Sequence, residues 1–395
     1  MTAYLDHAAT TPMLPVAVTA MTEQLTQVGN ASSLHRTGRA ARRVVEESRE
    51  KIAKAIGARP SEILFTSGGT ESDNLAVKGT FWARRDADPA RTRLVVSAIE
   101  HHAVLDCVEF LVRHEGAKVT WVEPTAEGFV EPQSVRRAIE EDPGSVALVS
   151  VMWANNEVGT IQDVRSIAEV AHEFAIPFHT DAIQAVGHVP VDFEASGADL
   201  LSVTAHKLGG PIGVGALVAR RDVRLVPLSH GGGQERQLRS GTLDAPAIRA
   251  FAAAVVASTE TLDSEVPRLT NLRDQLIERA TGLGLGIRPG GHWAAGDHER
   301  RLPGNAHLLI EGCDGDSLLY LLDAAGVSCS TGSACQAGVP QPSHVLLAMG
   351  ISERDARGAL RLSLGHTSTP SDVDAVIDAL PGAVERARRA RRATS

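Results

Sequence analysis

Lys207 is the residue whose type and surroundings most directly suggest covalent chemistry. It stands in Thr204-Ala-His-Lys-Leu-Gly-Gly-Pro-Ile-Gly-Val-Gly215, directly after an apolar run that is typical of a strand. A lysine in a partly desolvated crevice has a lowered pKa, and its neutral amine can form a Schiff base with an aldehyde. A solvated surface lysine is the commoner interpretation, but the flanking strands and the glycines weaken it here.

A possible phosphate cradle lies at Thr66-Ser-Gly-Gly-Thr-Glu-Ser72, between a predicted strand and a predicted helix. Free backbone N–H groups at a helix N-terminus bind phosphate, and glycines allow the backbone to approach it closely. Thr70 could add a hydroxyl. A plain glycine turn with a hydroxyl that caps the helix is an equally good interpretation of this segment alone.

Asp181 ends the predicted strand in Phe178-His-Thr-Asp-Ala-Ile-Gln184. The carboxyl ends of parallel strands border the ligand crevice of such sheets, so a carboxylate there faces the ligand. It could pair with a protonated ring nitrogen. A helix cap is the common alternative for an aspartate in this position.

Two of the four cysteines, Cys329 and Cys335, stand in a polar loop of small residues at 328–338. A thiol in such a loop would be accessible and mobile, and its thiolate could act as a nucleophile. A structural metal site is less favoured, because the spacing is C-x₅-C and no second cysteine pair is near. Cys107 and Cys313 stand in helix or strand-edge contexts and are predicted to be inert.

These features fit one cofactor when they are taken together. Pyridoxal phosphate requires a phosphate cradle, a carboxylate for its pyridinium nitrogen and a lysine for its aldehyde. Asp181 would keep the ring protonated, so that the ring can withdraw electrons from a carbanion at the Cα atom of a substrate.

The elements that must position these residues alternate along the first part of the chain. Short apolar runs predict strands at 62–66, 93–97, 117–122, 146–151, 177–181 and 200–204. Helical patterns such as 164–174 lie between them. Strands that alternate with helices predict an α/β fold with a mostly parallel sheet and helices on both faces. The nearly continuous apolar content of the strands is typical of strands that are buried on both sides.

The pattern changes after about residue 255. Helical patterns at 266–280 and 316–325, strands at 306–310 and 359–363 and a terminal helix predict a second, smaller α/β domain. We therefore expect a large cofactor-binding domain over 15–255. Residues 1–14 and 256–395 are expected to form a small domain that carries a mobile loop at about 328–340.

The composition argues against several classes of protein. The sequence of 395 residues has a formal net charge of −9, which does not suit a protein whose main role is to coat nucleic acid or anionic membranes. No apolar run reaches the roughly 18 residues of a membrane span, and the N-terminal residues do not read as a secretory signal. The expected location is the cytoplasm, with no direct binding of nucleic acid.

The sequence resembles the pyridoxal-phosphate-dependent cysteine desulfurases of the class V aminotransferase family, in their bacterial housekeeping and nitrogen-fixation-type group. The resemblance covers nearly the whole chain, and its motifs follow the family's order. They are Tyr4–Pro12, Gly29–His35, Thr66–Ser72, Glu100–Ala103, Asn155–Gly159, Asp181–Gln184, Ala205–Lys207, Arg239–Thr242, Ser333–Cys335 and Ala359–Gly365. It implies fold type I, with a large domain built on a mainly parallel seven-stranded sheet and a smaller C-terminal α/β domain.

The resemblance also implies a role for each matched site residue, and no metal. Lys207 would hold the cofactor covalently and shuttle protons, Asp181 would pair with the ring nitrogen, and His101 would stack on the ring. Gln184 would bind the ring's phenolic oxygen, and Asn156 (or, less favoured, Asn155) would contact cofactor and substrate. Arg361 would bind the substrate carboxylate. The phosphate would be bound by Gly69, Thr70, Thr204 and His206, and by Thr242 of the other subunit of a homodimer.

Cys335 would take the sulfur of L-cysteine as a persulfide and leave L-alanine, with the sulfur then passing to an acceptor protein. The sequence does not identify the acceptor, and iron–sulfur assembly, tRNA thiolation and DNA phosphorothioation stay open. The extra thiol of Cys329 is interpreted as a bystander, with a disulfide or a persulfide relay as alternatives. Another class V activity, selenocysteine cleavage or transamination, and a non-catalytic scaffold of the same fold are the competing hypotheses.

Overall fold

The computed structural model of the chain describes residues 2–332 and 342–394, with side chains described up to Arg391. Within these ranges the strands are β1 (Ala3–Tyr4), β2 (Ile63–Thr66), β3 (Arg93–Ser97), β4 (Lys118–Val122), β5 (Val146–Ser150), β6 (Phe178–Asp181), β7 (Leu200–Thr204), β8 (Gly215–Ala219), β9 (Ile287–Pro289), β10 (Asn305–Ile310), β11 (Val327–Ser328) and β12 (Ala359–Ser363).

The helices within the same ranges are α1 (Pro15–Leu25), α2 (Arg36–Ala55), α3 (Gly69–Ala87), α4 (His102–Glu115), α5 (Pro132–Glu140), α6 (Val164–Glu173), α7 (Phe193–Ser196), α8 (Ala245–Glu260), α9 (Leu262–Gly282), α10 (Gly315–Ala324), α11 (His344–Ala348), α12 (Glu353–Ala356) and α13 (Pro370–Thr394). Among the described residues, none of these helices is both long and apolar enough to cross a membrane.

A seven-stranded sheet in the order β2-β8-β7-β6-β5-β3-β4 forms the centre of the large domain. Strands β3 to β7 pair in parallel, whereas β8 is antiparallel to both β2 and β7. A turn of only ten residues joins β7 to β8, which is too short for the crossover that a parallel neighbour requires. The prediction of an α/β fold with a mainly parallel seven-stranded sheet flanked by helices is confirmed.

The second part of the chain has a core of its own. Strands β9, β10 and β12 form an antiparallel sheet, and β1 pairs in parallel with β11. Ala3 and Leu5 pack into this core with Leu276 of α9, Leu308 of β10 and Leu380 of α13. The N-terminal strand therefore packs with the C-terminal part, which supports the predicted division of the chain; the bounds at 15–255 and 256–395 stay a prediction.

The turn before α3 approaches β8 so closely that side chains are excluded there. Gly68 has a φ of 151°, which L side chains rarely adopt. A Cβ atom on Gly215 would lie 2.8 Å from the Cα atom of Gly68. The two glycines thus allow the N-terminus of α3 to lie beside the end of β7, which brings the predicted phosphate cradle next to Lys207.

Candidate active site

A cavity of about 390 Å³ opens at the carboxyl ends of β6 and β7, between the two cores. Its lining contains the described residues that sequence analysis proposed for the site, apart from Thr242. These are Gly69, Thr70, His101, Asn156, Asp181, Gln184, Thr204, His206, Lys207 and Arg361. The cavity is within the size range of small-molecule sites, and parallel sheets place their ligands at this edge.

Lys207 lies in the turn between β7 and β8, with its amine enclosed by the cavity wall. The amine donates to the backbone carbonyl of Ala8. Burial, and next the nearby Arg361 cation, lower the pKa of Lys207 to about 8. Near neutral pH roughly a tenth of this amine is therefore uncharged, far more than for an exposed lysine, and this is the form that reacts with an aldehyde.

Asp181 is buried at the end of β6 and faces the cavity. Its Oδ1 atom accepts a hydrogen bond of 2.9 Å from the Ile183 N–H. Burial, and next the carboxyl group of Asp73, raise the pKa of Asp181 to about 8. A cation placed opposite this side chain would favour its ionised form, so the site suits a protonated ring nitrogen.

His101 caps α4 and borders the cavity. Its Nδ1 atom accepts a hydrogen bond of 3.1 Å from the Ala103 N–H, so the proton of the neutral ring is assigned to Nε2. The residue is partly exposed toward the cavity, but burial of its ring, and next the Lys207 charge, lower its pKa to about 4. The ring is therefore neutral near pH 7, which suits stacking against a cationic ring.

The N-terminus of α3 provides the features of an anion site. Gly69 and Thr70 are the first residues of this 19-residue helix, whose free N–H groups and dipole attract negative charge. A Cβ atom on Gly69 would lie 2.1 Å from Cδ1 of Ile183, so any side chain there would require the end of Ile183 to move. Thr204 and His206 complete the rim. The chemistry of these donors fits the phosphate of the cofactor.

Arg361 is buried on β12, and only some of the N–H donors of its guanidinium group make hydrogen bonds. Its Nη2 atom lies 3.0 Å from Oδ1 of Asp6, and its Nη1 atom donates to the Asn156 carbonyl at 2.9 Å. Its Nε atom is buried without a hydrogen-bond partner among the described residues. The side chain is therefore oriented by two contacts, and its guanidinium group keeps further N–H donors for a substrate carboxylate.

Two amide residues of the site have different roles. Asn155 is fully buried, and its side-chain oxygen accepts from the Glu157 and Val158 N–H groups, so it stabilises the turn. The neighbouring Asn156 lines the cavity, which supports Asn156 rather than Asn155 as the contact with cofactor and substrate.

Gln184 also lines the cavity, where its Nε2 atom donates to the Ala8 carbonyl at 3.0 Å.

The three described cysteines are buried away from solvent. Burial raises the pKa of Cys107 and of Cys329 to about 12, and it also raises that of Cys313. A thiol with such a pKa is protonated near neutral pH and reacts poorly, which favours the interpretation of Cys329 as a bystander. Cys335 lies outside the described residues, although Ser330 and Gly332 line the cavity.

Sequence reasoning missed residues that come from distant parts of the chain. The Ala8 carbonyl accepts from both Lys207 and Gln184, and the Asp6 carboxylate binds Arg361. Both residues belong to the segment Tyr4–Pro12, to which the sequence analysis assigns no role beyond its resemblance to a family motif. The buried carboxyl group of Asp73 was also missed. A polar residue inside an apolar helical stripe was the available signal, but it does not show which side chain it faces.

Comparison with known proteins agrees with the geometry. The family model of class V aminotransferases matches residues 3–376. An "IscS-like cysteine desulfurase" of Mycobacterium tuberculosis is 58% identical over 388 residues, with 98% of each chain covered. A solved structure named "NIFS-LIKE PROTEIN" superposes with a TM-score of 0.87 at 33% identity, covering 98% of this chain and 99% of that one.

A further solved structure, "SspA in complex with cysteine", has a TM-score of 0.78 at 35% identity and covers 92% of this chain and 99% of its own. The chain therefore belongs to the class V aminotransferase family, whose members depend on pyridoxal phosphate. Within that family it groups with the cysteine desulfurases. The family, the class of enzyme and the cofactor predicted from the sequence are confirmed.

Proposed function

We propose that this enzyme removes sulfur from L-cysteine, releases L-alanine, and carries the sulfur as a persulfide on Cys335 until an acceptor takes it. The observation that carries the proposal is one cavity that holds Lys207, Asp181 and Arg361. These side chains come from β6, the β7–β8 turn and β12. Together they provide an amine for an aldehyde, a carboxylate for a ring nitrogen and a cation for a substrate carboxylate.

Bound pyridoxal phosphate supplies an electron-withdrawing ring that stabilises negative charge on the substrate carbon next to its amino group. Asp181 would face the ring nitrogen and keep it protonated. Lys207, with its lowered pKa, would take a proton from the substrate and return it at the end of the reaction. His101 would stack on the ring, and Gln184 would turn its amide from Ala8 to the ring's phenolic oxygen.

Substrate and phosphate would bind at opposite ends of the same cavity. Gly69 and Thr70 at the N-terminus of α3 would hold the phosphate, together with Thr204 and His206. Arg361 would hold the substrate carboxylate beside Asn156, through donors that Asp6 already orients. This arrangement would fix the thiol end of the substrate toward Ser330 and Gly332, where the polar loop begins.

The sulfur step is assigned to Cys335. Its thiolate would attack the sulfur atom of the bound L-cysteine, so that an S–S bond forms as the C–S bond of the substrate breaks. The electron pair of the broken bond stays on the carbon, which is protonated to give L-alanine.

Cys335→Ser provides the direct test. The variant should bind the cofactor with an unchanged visible spectrum and should still bind L-cysteine, as seen by a spectral change. It should form no persulfide and at least about 10³-fold less alanine, because it lacks the activated nucleophile. Persulfide is measured by mass spectrometry of the intact protein after one turnover, and alanine by chromatography.

Cys329→Ser is the matched control, because it removes a buried thiol of the same segment, and it should keep the activity. Alanine formation by Cys335→Ser at the rate of the unchanged enzyme would contradict the proposal. Selenocysteine cleavage that survives in the same variant would instead favour the alternative activity, which does not require this thiol.

We also propose that the enzyme works as a homodimer, with Thr242 reaching the phosphate in the neighbouring subunit. Thr242 is exposed and lies outside the cavity of its own chain. Large apolar side chains are exposed on α1, on the segment that leads to α2 and on the β7–β8 turn. These are Leu25 (63%), Val28 (88%), Leu34 (84%) and Ile212 (78%). A second copy would cover this surface.

Sedimentation should therefore give twice the mass of one chain. Replacing Val28 and Leu34 together by Asp should yield monomers with weakened cofactor binding, because the phosphate contact across the interface would be lost. Thr242→Ala should weaken cofactor binding while the dimer persists. A monomer with full activity would contradict the proposal.

The acceptor is proposed to be a protein of iron–sulfur cluster assembly, because several relatives carry the name IscS. A tRNA-thiolation enzyme is the second destination that we consider. Both belong to the cytoplasm, where we place the enzyme. A pull-down with the persulfide-loaded protein, followed by transfer of ³⁵S to the captured partner, would identify the acceptor.

A further inference from the structure

Three carboxylic acids are buried together behind the cavity. Asp181 ends β6, Asp73 lies on α3, which covers this face of the sheet, and Glu100 precedes α4. Asp73 and Glu100 have no exposed surface, and Asp181 is only 3% exposed. The mechanism above uses Asp181 alone, so the other two acids need a separate explanation.

Few hydrogen bonds compensate for the burial of these acids. Glu100 accepts the Met152 N–H through Oε1 at 2.6 Å, but its Oε2 atom has no partner among the described residues. Neither carboxyl oxygen of Asp73 has a partner there with good hydrogen-bond geometry either, although the hydroxyl groups of Ser202 and Ser97 lie near enough to Asp73 and Glu100, respectively, to oppose part of the rise in their pKa. An isolated ionised carboxylate is very costly in such surroundings, so a buried acid normally keeps its proton unless a cation or several donors face it.

His179 connects Asp73 with the site. It lies two residues before Asp181 on β6 and therefore on the same face of the sheet. Its Nδ1 atom is 2.9 Å from the Ser150 hydroxyl, and its Nε2 atom is 3.1 Å from that of Ser202. The Oδ1 atom of Asp73 is 3.5 Å from the same Nε2 atom, which is too far for a good hydrogen bond.

The ring of His179 does not supply a compensating charge. Burial lowers its pKa to about 4, so it is neutral near pH 7. Among the described residues, the other titratable groups around the acids include Lys207 and His101 on the cavity side, Cys107 of α4 next to Asp73, and His344, whose Nε2 atom lies 2.9 Å from the Glu100 carbonyl oxygen. Lys207 faces Asp181 and can carry a positive charge near neutral pH.

The pKa shifts of the three acids agree with this geometry. Burial raises the pKa of Asp73 to about 7 and that of Glu100 well above its ordinary range. The Asp181 charge adds to the shift of Glu100, and Asp73 adds to the shift of Asp181. Ionisation of any one acid therefore makes ionisation of the other two harder.

We infer that Asp73 and Glu100 keep their protons in the cofactor-loaded enzyme, so that the single negative charge of this group of acids is on Asp181, opposite the ring nitrogen. Asp73 is then a positioning residue: as a neutral acid beside Ser202 it keeps Ser202 and His179 in place without competing for the positive charge. The inference rests on the proposed function, because it requires a cationic ring at the cavity.

Amide variants test the inference, because an amide has the shape of a carboxyl group that keeps its proton. Asp73→Asn and Glu100→Gln should load the cofactor, and a ¹⁵N label at its ring nitrogen should show the chemical shift of a protonated ring. The pH at which the visible absorbance of the bound cofactor titrates should stay within about 0.3 pH unit of the unchanged enzyme.

An ionised Asp73 or Glu100 would shift the titration of the cofactor in a known direction. If Asp73 or Glu100 were ionised in the loaded enzyme, its amide variant would remove a negative charge that stabilises the cationic cofactor. The absorbance midpoint would then fall by about one pH unit or more, and the ring nitrogen would lose its proton at neutral pH. Either change in either variant would overturn the inference.

A measurement without cofactor separates this inference from the proposed function. In the folded cofactor-free protein Asp73 keeps a proton that it loses in the unfolded chain above about pH 4, so its burial costs stability as the pH rises from about 4 to about 7. Asp73→Asn should therefore unfold at a higher temperature than the unchanged protein at pH 8. A lower unfolding temperature of this folded variant at pH 8 but not at pH 5 would show that an ionised Asp73 stabilises the fold, and would overturn the inference even if the cavity bound no cofactor at all.

Discussion

Replacement of Lys207 by alanine should abolish desulfuration of L-cysteine almost completely. The residue is assigned two roles, as the amine that joins the cofactor aldehyde and as the group that moves the substrate proton, and a positioned acid–base group alone contributes roughly 10²- to 10⁴-fold. We expect at least about a 10⁴-fold loss of turnover, since both roles fall to the same atom. The cofactor should still bind through its phosphate, but without a covalent bond.

Borohydride reduction followed by mass spectrometry measures that bond. The unchanged enzyme should gain the mass of the reduced cofactor on the peptide that contains Lys207, and the alanine variant should gain none. Lys54→Ala is a matched control, because Lys54 is exposed on α2 and does not line the cavity. Trapping of the cofactor on another lysine in the unchanged enzyme would refute the assignment of Lys207.

Replacement of Asp181 by asparagine should also reduce the activity strongly. The asparagine side chain has nearly the same shape but cannot balance the charge of a protonated ring nitrogen. Loss of one partner of a buried ion pair costs about 3–5 kcal/mol, which corresponds to roughly 10²- to 10⁴-fold in rate. The ¹⁵N shift of the labelled ring should change to that of an unprotonated nitrogen.

The same substitution should not destabilise the protein without cofactor. The pKa of Asp181 is raised to about 8 in the folded state, so between about pH 4 and pH 8 the folded chain binds a proton that the unfolded chain has lost. Stability contributed by this residue therefore decreases as the pH rises through that window. Asp181→Asn should unfold at an equal or higher temperature at pH 8.

Activity and unfolding temperature, measured together, distinguish a role of Asp181 in catalysis from a role in folding. Activity should fall by roughly two to four orders of magnitude while the unfolding temperature of the cofactor-free protein holds or rises. Thr180→Ser is a suitable control, because it alters the neighbouring buried side chain of β6 and leaves the charge unchanged. A variant that lost its stability along with its activity would show that Asp181 mainly supports the fold.

Much of the large domain could be predicted from the sequence because its signals are local. Continuous apolar runs of four to six residues mark strands that are buried on both faces, and a parallel sheet places whatever follows each strand at one edge. That rule alone brings Asp181 and the turn of Lys207 together. The glycines of the α3 turn add the phosphate cradle, since a close backbone approach leaves a visible sequence signal.

Contacts between distant parts of the chain could not be predicted in this way. Asp6 and Arg361 are 355 residues apart, and their ion pair depends on how the two cores pack. The two hydrogen bonds to the Ala8 carbonyl involve a backbone atom, which leaves no trace in residue type. The antiparallel direction of β8 was likewise missed, because an apolar run shows burial but not direction.

Arg361 also bears on which thiols the cavity rejects. An unpaired buried donor such as its Nε–H costs about 1–3 kcal/mol. A ligand carboxylate removes that cost, whereas cysteamine, the decarboxylated counterpart of L-cysteine, leaves it in place. Discrimination of roughly tenfold or more against such amino thiols would thus precede any bond breaking, so the ligand carboxylate is selected already in the binding step.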